Sequence, residues 1–287
     1  MSDVTQIQVD NISVTYRNGF TAIRDTSFTL PKASITALVG INGSGKSTIF
    51  KSIMGLVAVK SGSVRIFGET VKHALKKNKV AYVPQSEEID WDFPILVEDV
   101  VMMGRYGHMN GLRMSGAKDH QLVAASLQRV GMQDYRKRQI GELSGGQKKR
   151  IFLARALAQE SEVILLDEPF TGVDVKTEEQ IMQLLKALRE EGKVILVSTH
   201  NLGSIPEFCD RTLFVNRTIL AEGPTESVFT PRNIEQAFGG ALRHFVLSGD
   251  LLHTDDDKRQ ITVISDDDRP VVLYGEAHAN AVVSKTR

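Results

Sequence analysis

The chain has 287 residues, 41% apolar and 24% charged, with 35 basic residues balancing 35 acidic ones. That length suits one α/β unit with appendages and buries a core without disulfide or metal staples. The balanced charge argues against a nucleic-acid partner, which calls for a basic surplus to neutralise phosphates. Cys209 is the single cysteine, which excludes an intrachain disulfide and fits a reducing compartment. The N-terminal residues lack the charged-then-apolar pattern of a signal peptide. No 18 apolar residues run together, so a role at a membrane would pass through a partner.

In chain order, IQVDNISVTY and AIRDTSFTL read as strands joined through the Asn-Gly turn of RNGF. ITALVG then runs into a glycine-rich turn, and STIFKSIMGL follows at helical spacing. VRIFG and VAYVPQ are further short strands. From Ser86 to about Gln159 the pattern turns mostly helical, through VEDVVMMG, DHQLVAASLQRVGM and a helix opening near Ser144. VILLDEP and VILVSTH lack alternation, as parallel strands buried on both faces do, and the helical KTEEQIMQLLKALREEG between them makes a βαβ unit. After Pro224 come a short helix in TPRNIEQAFGG and three strand-like runs, HFVLSGDLL, RQITVIS and RPVVLYG. Two acidic runs, Asp255–Asp257 and Asp266–Asp268, punctuate them, and AHANAVVSKTR reads as a frayed end.

Gly40 to Thr48 reads GINGSGKST and fits G-x-x-x-x-G-K-[ST] between a strand and a helix. Gly40, Gly43 and Gly45 let the backbone of the loop, with Asn42, Ser44 and Thr48, present N–H groups to a phosphate chain. The helix that follows aims its positive end at the same place. Lys46 reaches β- and γ-phosphates in this arrangement, and the Ser47 hydroxyl is a ligand for Mg²⁺. Asp167 and Glu168 end the buried run VILLDEP, where ligands sit in open α/β sheets. There Asp167 can hold Mg²⁺ through water and Glu168 can polarise an attacking water. Leu143 to Gln147 reads LSGGQ ahead of a helical run, so Ser144, Gly145 and Gly146 offer a second anion site at a helix N-terminus.

Together these three motifs, in this order, resemble the ABC-type ATPases from Ile7 to Gly223. The resemblance implies an α/β P-loop NTPase core with a mainly parallel sheet, an antiparallel β subdomain and a helical subdomain. It assigns residues 1–240 to the ATP-binding domain, with the helical subdomain at about 86–160, and leaves 241–287 as a small extension. It also implies that Tyr16 stacks on adenine and that Gln85 senses Mg²⁺ and links core to helical subdomain. His200 would contact the γ-phosphate, and Asp174 would lie in a loop crossing a dimer interface. That loop reads GVD, where many cassettes have Ala-Leu before the aspartate. Two copies would clamp head to tail, with Ser144–Gln147 of one closing over the ATP of the other.

The segment from Glu87 to His108, with its DWDFP and MGRYGH runs, is similar to cassettes serving manganese, zinc and chelated-iron importers. The implied partners are membrane permease subunits meeting the Gln85–His108 region and, indirectly, an extracytoplasmic metal-binding protein. The implied location is the cytoplasmic face of the membrane. Trp91, Phe93, Pro94 and Ile95 form an apolar cluster that would either receive the permease or pack the helical subdomain. An exporter or an importer of another solute shares every catalytic motif. A soluble ABC ATPase acting on DNA or ribosomes is disfavoured by the neutral charge and by the absence of a long insertion between Lys46 and Ser144. A cassette that binds ATP without hydrolysing it is disfavoured by the presence of Glu168 and His200.

Overall fold

The computed structural model describes residues 5–85, 93–109, 112–239, 243–248, 260–265 and 270–274. Trp91 and both Asp runs lie outside the described residues, as do residues 275–287.

Strands β1 (Thr5–Thr15) and β2 (Thr21–Pro31) pair antiparallel. A register shift between Val9 and Ile12, with Asn11 at φ 47°, lets β1 bury Ile7, Val9, Ile12 and Val14 alike. The extra residue of the bulge resets the alternation. β3 (Ser34–Val39) leads through residues 40–45 into helix α1 (Lys46–Ile53). β4 (Ser61–Ile66) and β5 (Glu69–Thr70) complete a four-stranded antiparallel sheet of order β2-β1-β4-β5. Helix α2 (Val71–Lys76) and β6 (Val80–Val83) follow, then the helical stretch of α3 (Val97–Met102), α4 (Ala117–Arg129) and α5 (Gly145–Ala158).

The chain returns to the sheet through β7 (Val163–Asp167), α6 (Val175–Glu190), β8 (Val194–Ser198), α7 (Ile205–Phe208), β9 (Arg211–Val215) and β10 (Ile219–Pro224). The main sheet has order β10-β9-β3-β8-β7-β6, parallel throughout except for β10 at its edge. Helices α8 (Thr225–Val228) and α9 (Pro231–Phe238) close this part. β11 (Arg243–Ser248), β12 (Gln260–Ser265) and β13 (Pro270–Tyr274) form a separate antiparallel sheet.

The unalternating apolar runs have a simple cause. Ile164 and Leu166 of β7, with Ile195 and Val197 of β8, enter a core shared with α3, α5 and α6. Their neighbours Val163, Leu165, Val194 and Leu196 enter a second core shared with α1 and the antiparallel sheet. A strand covered on both faces has no solvent side to mark with polar residues. Helix α2 and the β9–β10 hairpin are elements beyond those expected from the sequence.

Candidate functional site

The loop between β3 and α1 carries Gly40, Asn42, Gly43, Ser44 and Gly45. Gly45 caps α1 at φ 108°, and a Cβ there would lie 2.5 Å from Cγ2 of Ile23, so only glycine fits. The turn of the β9–β10 hairpin braces this loop, the Arg217 N–H donating to the Ser44 carbonyl at 2.7 Å. Lys46 is buried, and its ammonium donates to the carbonyls of Gly40 (2.6 Å) and Ile41 (3.1 Å). Burial pulls its pKa down, while Glu168 and Asp167 pull it back up. Both carboxylates therefore act on the same ammonium across the strand ends. Ser47 is exposed at the first turn of α1 and Thr48 is buried beside it. The Thr48 hydroxyl lies 3.1 Å from the Tyr16 hydroxyl, which anchors a ring that is 37% exposed at the mouth of the loop.

Asp167 and Glu168 stand where β7 ends, beside the end of β8. Ser198 holds both: its hydroxyl donates to Asp167 Oδ1 at 2.6 Å and accepts the Glu168 N–H at 2.9 Å. Tyr82 donates to Asp167 Oδ2 at 3.4 Å. Three side chains converge on Glu168 Oε2: the Gln85 amide at 2.6 Å, the Thr171 hydroxyl at 3.2 Å and His200 Nδ1 at 3.7 Å. The His200 imidazole foremost holds the Glu168 carboxyl below the usual glutamate range; Lys46 and Thr171 act the same way, and partial burial opposes them. The carboxylate is ionised at neutral pH, the state in which a carboxyl group can accept a proton. Ser47 and Asp167 are hard oxygen donors of the kind Mg²⁺ takes. The two hydrogen bonds on Asp167 leave lone pairs for a water-mediated contact.

Ser144–Gln147 and Asp174 make a second group. Ser144 caps α5 in a reciprocal pair, the Ser144 N–H donating to Gln147 Oε1 at 2.9 Å and the Gln147 N–H to Ser144 Oγ at 3.4 Å. Asp174 caps α6, accepting from the Thr177 N–H at 2.9 Å and the Thr177 hydroxyl at 3.0 Å. A Cβ on Gly146 would touch Thr177 and Val173, which places the start of α5 against the start of α6. Within one chain, then, the expected residues gather as two groups, one around Lys46 and Glu168 and one around Ser144 and Asp174.

The Gln85–His108 segment divides by function. Phe93, Met103 and Tyr106 are exposed, while Ile95 packs on the core. Arg105, in the MGRYGH run, is buried: it donates to Asp119 Oδ1 (2.9 Å), the Ala158 carbonyl (2.6 Å) and Glu160 Oε2 (2.8 Å). Gly104 lies so close to α5 that a Cβ would sit 2.2 Å from the Arg155 carbonyl. His108 Nε2 meets the Gln159 carbonyl at 2.9 Å. MGRYGH is therefore a clasp on the C-terminal end of α5, a role the sequence alone did not suggest. Thr171, Tyr82 and Ser198 lie outside every motif of the sequence and join the site only in the fold. Ser198 carried one signal, its place two residues before His200 at the end of an apolar run.

The ABC transporter family profile matches residues 23–171. The chelated iron transport system membrane protein YfeB of Yersinia pestis is 62% identical over 270 residues, 94% of this chain and 91% of that protein. The manganese transport system ATP-binding protein MntA of Synechocystis is 62% identical over 234 residues, 82% of this chain and 90% of that protein. Among solved structures, the dimeric post-hydrolysis state of the cassette MJ0796 bound to ADP and Pi aligns with a TM-score of 0.66 at 27% identity. That alignment covers 76% of this chain and 98% of the other. With its phosphate loop, paired carboxylates and LSGGQ-capped helix, the chain belongs to the ABC transporter family as an ATP-binding cassette, an ATPase coupled to transport.

Proposed function

We propose that the chain energises import of a divalent transition metal ion, manganese or iron, with zinc a further candidate. The observation that carries this is 62% identity, over most of the chain, to both a chelated-iron and a manganese transport subunit. Residues 1–240 form the cassette and 241–287 a small extension. The cassette sits at the cytoplasmic face of the membrane. Its exposed Phe93, Met103 and Tyr106 offer an apolar surface to permease subunits, which in turn receive the ion from an extracytoplasmic binding protein.

In this reading Tyr16 stacks on adenine, and the amides of residues 40–48 with Lys46 hold the phosphates. Ser47, Asp167 and Gln85 would hold Mg²⁺, which would supply positive charge against the phosphates. Two copies pair, as the dimeric relative supports, and they do so head to tail. Ser144–Gln147 of each, flanked by Asp174, then cover the γ-phosphate bound by the other. Glu168 orients and deprotonates the attacking water, and His200 stabilises the γ-phosphate. Lys46, relieved of its carbonyl partners, turns its ammonium onto the phosphates.

Deletion of the gene, followed by uptake of radiolabelled Mn²⁺, Fe²⁺ and Zn²⁺, tests the proposal. Loss of manganese or iron uptake, restored by the wild-type gene and not by Glu168→Gln, is expected. Normal uptake of all three in a strain without another importer for them would overturn the metal assignment.

A further inference from the structure

We propose that Lys149 is a positioning residue for Glu168, making the LSGGQ helix of each subunit part of that subunit's own hydrolytic site. The inference rests on the two-copy reading above. Lys149 follows the signature by two residues, within a basic run that resembles a solvated helix face. In the structure it is half-buried, and its ammonium donates to the backbone carbonyl of Glu168 at 2.9 Å. Burial lowers its pKa and the neighbouring Glu168 and Asp167 raise it, so the amine reaches the Glu168 carbonyl at a desolvation cost.

Glu168 needs such a partner. Its φ is 51°, a left-handed conformation that a glutamate rarely adopts and that persists where surroundings over-determine it. Its N–H is fixed by Ser198 at 2.9 Å, and its carbonyl by Lys149 at 2.9 Å with the Thr171 N–H at 3.3 Å. The direction of the carboxylate towards Gln85, Thr171 and His200 follows from that clamped backbone. Lys149 and Gln85 also line the same cavity of about 260 Å³, between α5 and the end of β7. The helix that bears Lys149 begins at Ser144, which covers the partner's ATP. A shift of α5 on meeting that phosphate therefore moves Lys149 and, through it, Glu168 facing the other ATP. One lysine joins the two sites.

The test uses heterodimers in which one subunit carries Glu168→Gln, so that a single hydrolytic carboxylate remains. Lys149→Met is placed either in the subunit with intact Glu168 or in its partner, and single-turnover ATP hydrolysis is measured. In the subunit with intact Glu168 the rate is expected to fall about tenfold or more, with ATP affinity within about twofold of the parent. Lys149→Arg, which keeps a donor, recovers part of the rate. A loss equal or greater when Lys149→Met sits in the partner subunit would overturn the proposal, since damage to the signature acts there. An unchanged rate in the subunit with intact Glu168 would overturn it too. Ser144→Arg in the Glu168→Gln subunit checks the underlying pairing: hydrolysis must be lost, and its survival would sink the two-copy reading instead.

Discussion

The Gln85 side-chain amide donates to Glu168 Oε2 at 2.6 Å, joining the exit of β6 to the carboxylate at the end of β7. Gln85 opens the segment that leads in sequence to exposed Phe93, so under the proposed function a displacement at the permease contact would bear on Glu168 through this hydrogen bond. Gln85→Ala breaks this link while leaving the His200 and Thr171 contacts of Glu168 in place. It is expected to lower ATPase activity of the assembled transporter severalfold more than that of the isolated subunit. Rates measured with and without the membrane subunits check this, and an equal loss in both would contradict it.

Arg105 supplies a prediction about stability alone. Its side chain is 3% exposed and bound to Asp119 and Glu160, with the Ala158 carbonyl completing the cluster. Arg105→Met leaves the Ala158 carbonyl without its buried donor and removes the cation beside Asp119, at a cost of about 1–3 kcal/mol. Lysine cannot reproduce the fork of contacts, so Arg105→Lys recovers little. Thermal unfolding is expected to show a midpoint several degrees lower for both variants, while nucleotide affinity of the folded protein is unchanged. A midpoint within a degree of the parent would contradict the buried clasp.

The pH dependence follows from Glu168, whose carboxyl is held low foremost by His200. Because the folded value lies below the unfolded one, ionised Glu168 stabilises the fold above the ordinary carboxylate range. That contribution is lost as pH falls through the folded value. In ¹³C-carboxyl NMR, with Glu168→Gln identifying the resonance, Glu168 is expected to titrate below the usual glutamate value of about 4.3. His200→Ala moves it upward. The same midpoint with and without His200 would contradict the assignment of cause.

Most of this architecture was legible where one residue type satisfies one local demand. The glycines of GINGSGKST, the apolar runs of β7 and β8 and the LSGGQ cap each announce a backbone conformation or burial on two faces. What stayed hidden are residues whose role depends on a partner far along the chain. Ser198 looks like a strand end until it meets Asp167 and Glu168, and Arg105 looks like a surface arginine until α4 and α5 close around it. Lys149 sits in KKR, where local pattern predicts solvent. The β9–β10 hairpin went unread because no motif marks it, yet its turn braces the phosphate loop through Arg217.

The central claim is that Glu168 hydrolyses ATP held between two copies of this chain. Glu168→Gln, incubated with MgATP and examined by light scattering alongside phosphate release, tests it most directly. The account predicts a stable dimer that forms only with nucleotide, and hydrolysis lowered at least about a hundredfold. Release of phosphate near the wild-type rate, or a variant that binds ATP and stays monomeric, would contradict it.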